Sequence, residues 1–150
     1  MTSTTAEPDL RDDADRNLLG MLDRAREQHG TVTRSCRYRC ASGERFAGKW
    51  RGVRIGGLVE AAPDEQLPPE TTHLRAVSAD GYCVPVAILD ALDAVVATER
   101  LDGEPEGLPR LVGEGLDGPW TARDLVRLEP AVFPASAEPE PTYIEEVSAP

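Results

Sequence analysis

The chain has 150 residues, 40% of them hydrophobic and 29% charged, an ordinary balance for one globular domain with a modest core. Its 27 acidic against 16 basic residues give a formal net charge of −11. That charge excludes a duplex DNA or RNA partner, because phosphate binding needs clustered positive charge, and no apolar run is long enough to span a bilayer.

Lys49 is the only lysine. An acidic, Lys-poor surface resembles that of halophilic proteins, in which carboxylates keep chains hydrated and mutually repelling in salt. A GC-rich genome favouring Arg over Lys would give the same bias. The N-terminal Met1-Thr-Ser-Thr-Thr-Ala-Glu-Pro8 has neither a basic nor an apolar signal region, which predicts a cytoplasmic protein. Three cysteines, Cys36, Cys40 and Cys83, make an odd count and argue against a disulfide scaffold.

Residues 1–10 read as a disordered lead-in. Residues 11–29 read as a helix. Asp12, Asp13 and Asp15 near its start and Arg24 and Arg26 near its end suit the helix dipole, and Leu18, Leu22 and Ala25 share one face. Gly30 is its stop. From Thr31 the period becomes two. Val32, Cys36, Tyr38 and Cys40 fall on one side of a strand, with Arg37 and Arg39 on the other. Residues 41–49 read as a polar loop, Trp50–Ile55 as a second alternating stretch, and Gly56–Ala62 as a helical turn. His73–Ser78 is a strand, Asp80-Gly81 a turn, and Tyr82–Val86 a strand that Pro85 places at an edge or bulge. A helical turn over 87–93, a strand through Val95, Val96 and Thr98, a strand Arg110–Val112 and a closing strand over Trp120–Leu128 follow. From Pro130 the chain is rich in Pro, Glu and Ala and reads as a disordered acidic tail, with Tyr143, Ile144 and Val147 as a docking spot. The expected organisation is a lead-in and helix over 1–30, a mostly β domain over 31–129, and a tail over 130–150.

One succession of motifs has a counterpart in a known family. Arg-Tyr-Arg-Cys40-Ala-Ser-Gly is followed by Trp50-Arg-Gly52-Val53, then Ser78-Ala-Asp-Gly-Tyr82 and Asp102-Gly-Glu-Pro105. Gly107-Leu-Pro109-Arg110-Leu-Val112 and Trp120-Thr-Ala-Arg123-Asp-Leu125-Val-Arg-Leu-Glu129 complete it. In order and spacing this resembles the sulfite oxidase and molybdopterin-dependent oxidoreductase family, across residues 34–129. The resemblance implies an α+β, mostly β, sulfite-oxidase-like fold with short helices. It implies a molybdenum–molybdopterin cofactor with Cys40 as the metal ligand, and oxygen-atom transfer at a sulfur centre. A small-molecule substrate or an electron-transfer protein would be the partner. It carries Arg110 and Arg123 over as phosphate ligands of the pterin and Tyr82 as a substrate-side residue. The chemistry suits these types: molybdenum takes a soft thiolate, neighbouring Arg37, Arg39 and Arg45 favour that thiolate, and Arg fits phosphate bidentately.

A second function comes from a different class. The domain is shorter than the family's, its Gly-x-Pro-x-Arg segment has lost one residue, and Glu106 stands where many members have His or Asn, so that its carboxylate would repel a phosphate. These features suit a non-catalytic domain that retains the fold as an interaction or small-ligand-binding module. The bland readings are specific too. Cys36 and Cys83 are core or strand residues, Trp50 and Trp120 core or rim aromatics, and the glycines 113, 115 and 118 turns. His29 and His73 are surface histidines, and the arginines ordinary ion pairs. Cys36 and Cys40, about 13 Å apart on one strand, are too far apart for a disulfide and ill placed for one zinc.

Overall fold

The computed structural model describes residues 10–39, 42–43, 45–61, 67–114 and 116–144. In chain order it contains α1 (Leu10–His29), β1 (Val32–Arg39), β2 (Arg45–Arg54), α2 (Ile55–Ala61), β3 (His73–Ser78), β4 (Tyr82–Ala87), α3 (Ile88–Asp93), β5 (Val95–Arg100), β6 (Arg110–Val112), β7 (Leu125–Ala131) and β8 (Thr142–Tyr143). The architecture is mixed α and β, mostly β. Two four-stranded sheets run in the orders β1-β2-β5-β6 and β7-β3-β4-β8, and every pairing is antiparallel. Among the described residues no helix is long and apolar enough to cross a membrane.

Helix α1 buries Leu18, Leu22 and Ala25, the stripe expected from the spacing. It stops where the Gly30 amide donates to the Arg26 carbonyl at 2.8 Å. Those side chains join Val53, Leu58, Leu74, Val84, Val96 and Leu111 in a core that both sheets share. A second cluster lies within the first sheet: Cys36, Trp50, Val95, Ala97 and Val112. Trp50 is 1% exposed. Burying an aromatic of this size removes roughly 150–250 Å² from water, on the order of 4–6 kcal/mol before entropy is counted.

The connection between β2 and β5 depends on Gly52. The ladder shifts register between Arg51 and Gly52, and a Cβ on Gly52 would stand 2.1 Å from the Val96 carbonyl oxygen. Only glycine lets the two backbones approach so closely. The Gly of Trp50-Arg-Gly52 is therefore a packing requirement.

Three segments differ from the sequence reading. Residues 45–49, expected in a loop, extend β2, with Arg39 opposite Arg45 and Cys36 opposite Gly48. A hairpin held by backbone bonds needs no apolar alternation there. The closing strand begins at Leu125 rather than Trp120, because Gly118–Trp120 forms a 3-10 turn with Pro119 near its start. The tail contributes too. Pro130 and Ala131 pair with β3, and Thr142–Tyr143 adds a strand to the edge of β4. Val147 lies outside the described residues. Pro85 pairs with Arg75 on β3, while β8 faces only Tyr82 and Cys83. Beyond Cys83 the strand behaves as an edge, as Pro85 led one to expect.

Candidate functional site

Cys40, the expected metal ligand, lies outside the described residues. β1 carries the chain up to Arg39, whose amide donates to the Asp117 carboxylate at 3.2 Å, and β2 takes it back from Arg45. Below this hairpin tip a cleft of about 470 Å³ opens beside Cys36, lined by Arg37, Gly48, Lys49, Asp102 and Glu114 among others. The Cys36 thiol is 3% exposed. Burial pushes its pKa up, the Arg34 guanidinium opposes this, and the Glu114 carboxylate adds to it. A thiol so placed stays protonated and is a poor nucleophile or metal ligand. Asp102 accepts from the Lys49 amide at 2.9 Å and from Arg100 Nε at 3.2 Å. The bond from the Lys49 amide holds its carboxyl below the usual range; desolvation opposes this, and the Arg100 guanidinium adds to the lowering. The cleft thus has two cations and two carboxylates on its walls, so it has no strong preference for an anion.

Arg110 is not at an open recess. It is 3% exposed, and its guanidinium lies 5.6 Å from the centre of the Trp50 ring. One terminal nitrogen donates to Thr121 Oγ1 at 3.0 Å, and that hydroxyl donates in turn to the Gly118 carbonyl at 2.8 Å. Arg100 lies 5.1 Å from the same indole. Gly48 makes room for the ring, since a Cβ there would meet it at 2.5 Å. This is an aromatic held by two guanidiniums, a cation–π arrangement that strengthens as it is desolvated. It joins β2, β5 and β6 to the turn at 118–121.

Arg123 is exposed and ion-paired with Glu106 at 3.1 Å. Its side chain lies across Gly107, where a Cβ would meet it at 2.7 Å and where φ is +65°. The carboxylate expected to repel a phosphate therefore binds the arginine expected to attract one. Tyr82 donates its hydroxyl to the Pro119 carbonyl at 2.6 Å, and its ring stands 5.2 Å from Tyr143. Burial, then Tyr143 and Asp80, push its pKa up.

Molybdopterin needs a basic, open pocket beside the thiolate that holds its metal. The described residues do not fit it. Arg110 is buried against Trp50, Arg123 is bound to Glu106 at the surface, and neither lines the Cys36 cleft. Among the described residues no group of three or more His, Cys, Asp or Glu could hold a metal ion. Sequence reasoning did not find the partners that decide these roles. Thr121 and Arg100 carry no motif, and only the register of β2 against β5 brings Arg100 to Trp50. The chain matches no family model, no curated protein and no solved structure.

Proposed function

We propose that this chain is a non-catalytic domain with a sulfite-oxidase-like fold that serves as an interaction or small-ligand-binding module. The observation that carries this reading is Arg110, packed against Trp50 and bonded to Thr121 where a cofactor-binding arginine would face an open pocket. The Arg123–Glu106 ion pair and the Tyr82–Pro119 hydrogen bond support it in the same way. The test is molybdenum content after expression in a host that makes molybdopterin, purified in high salt. The expected result is a folded protein without stoichiometric molybdenum or pterin; one equivalent of each would overturn it.

The second reading is a molybdopterin-dependent oxidoreductase domain with Cys40 as the metal ligand. What favours it is the order of elements: β1 ends one residue before Cys40, β2 carries Trp50 to Gly52, and α2 follows at once. That is the succession the resemblance implies. On this reading molybdenum is bound one per chain and is lost in Cys40→Ser.

A further inference from the structure

The second sheet has a face that the core does not use. Leu74 and Ala76 on β3 belong to the main core, so Arg75 and Val77 alternate to the other side. Cys83, Arg127 and Glu129 are their cross-strand partners and share that face. Val77, Cys83 and Val126 form a small apolar cluster there, each 8% exposed or less, with Ile144 packed on it. Ile144 arrives with β8. Tyr143 lies opposite Tyr82, Thr142 lies opposite Cys83, and the Ile144 amide donates to the Gly81 carbonyl at 2.9 Å. The tail is bound as an added strand, with backbone bonds to an edge and one side chain in an apolar seat.

The charges around that seat have a sign. Glu129 accepts from both Arg75 and Arg127. One carboxylate is thus shared by two guanidiniums, on a chain whose total charge is −11. Arg127 uses its Nε, at 3.0 Å from Glu129; its terminal nitrogens make no hydrogen bond among the described residues. In sequence the tail continues Glu145-Glu146-Val147. An acidic segment following an apolar anchor is the complement of this face.

The connection leaves the tail room to depart. β7 and β8 are opposite edges of the sheet, three strand spacings or about 14 Å apart. The ten residues 132–141 can reach about 33 Å. They contain Pro134, Pro139 and Pro141, which resist joining a sheet. β8 covers only two residues of β4, and Tyr143 is 65% exposed.

We propose that the β4 edge and the Val77–Cys83–Val126 face form a receptor for an extended acidic segment, and that its partner in trans is the Thr142–Val147 tail of a second copy of this chain. The tail seated in cis is the same ligand bound intramolecularly, and exchange between two copies repeats every contact. The inference rests on the interaction-module reading and gives that module a surface and a partner. Because it makes no use of molybdenum content, its failure leaves that reading standing.

The test uses two acceptors: the chain ending at residue 140, and full-length Ile144→Asp, which keeps the tail but unseats it. The probe is a fluorescein-labelled peptide of residues 140–148, read by anisotropy. Both acceptors, with circular dichroism unchanged, are expected to bind it saturably. The unmodified chain is expected to bind it at least about tenfold more weakly, since its own tail competes at an effective concentration near millimolar. Arg127→Glu in either acceptor weakens binding about tenfold, and a peptide carrying Ile144→Asp does not bind. Light scattering then shows dimer growing with concentration in the unmodified chain and absent in Ile144→Asp. A folded acceptor that ignores the peptide, or one that binds the Asp peptide equally well, overturns the receptor. A chain monomeric at every concentration overturns the second copy as partner.

Discussion

Gly52 and Val96 approach so closely that the Val96 carbonyl oxygen would stand 2.1 Å from any Cβ on the glycine, with the Ala97 Cα at 2.6 Å. Both are backbone atoms, which cannot swing aside as a side-chain end can. Gly52→Ala is therefore expected to destabilise by about 3 kcal/mol or more, the upper end of what overpacking costs. Gly20 in α1 is the contrast. Its added methyl would meet only the end of the Arg24 side chain at 3.8 Å, and Gly20→Ala should stabilise by up to about 1 kcal/mol through helix propensity. Urea unfolding of the two variants checks both signs. Equal effects would mean that the register shift at Arg51/Gly52 absorbs the methyl.

The Arg110 guanidinium is a structural group if the contacts around Trp50 govern it. Arg110→Ala removes a buried charge-assisted bond to Thr121 and a cation–π contact. The expected loss is about 2–4 kcal/mol, which lowers the melting midpoint by roughly 10 °C for a chain of this size. Arg110→Lys keeps the charge and loses the planar stacking, so its loss should be smaller but clear. An arginine that waits for a phosphate would behave differently, leaving the melting of the free protein unchanged in both variants.

The helix stripe, the alternation of Val32 and Cys36 against the exposed Arg37 and Arg39, and the edge character of Pro85 could be read from local pattern, because each depends on spacing within one element. The apolar positions Leu18, Leu22 and Ala25 are buried together because i, i+4 and i+7 share a helix face. Site roles were less legible, because they depend on pairs far apart in sequence. Glu106 read as an obstacle to phosphate and Arg123 as its ligand; their mutual ion pair appears only when residues 106–109 run beside 122–125. The tail was compositionally a disordered segment, and composition has no term for one strand's worth of contacts at a sheet edge. Tyr143 and Ile144 were nevertheless visible as apolar points in an acidic stretch.

Cys36 is expected to be inert near neutral pH. Burial raises its pKa above the ordinary thiol value of 9.0, despite Arg34. A raised acid contributes stability that is fully present below the unfolded-state value and is lost as pH rises through the folded one. Unfolding in urea from pH 7.5 to pH 11 should therefore show a loss of stability above about pH 9 that Cys36→Ala lacks. Brief iodoacetamide treatment at neutral pH, mapped by mass spectrometry, should leave the Cys36 and Cys83 peptides unmodified until denaturant is added. Fast native labelling of Cys36 would make it a reactive thiol at the mouth of its cleft and reopen that cleft as a site.

Tyr82 reports on both the Pro119 bond and the tail. Its pKa is raised by burial first, then by Tyr143 and by Asp80, so two of the three causes weaken when the tail strand leaves. In the chain ending at residue 140, Tyr82 should ionise at lower pH than in the full chain, read as the phenolate absorbance and assigned by its loss in Tyr82→Phe. Tyr82→Phe also removes the hydrogen bond to the Pro119 carbonyl. Because that bond is reached by water, the expected loss is near 1 kcal/mol. The two effects separate the roles. A Tyr82 that serves only the 118–121 turn would lose stability on substitution yet titrate identically with and without the tail. A Tyr82 that also forms the floor of the tail's seat shifts downward once residues 141–150 are gone, because the tilted Tyr143 ring lies 5.2 Å from it.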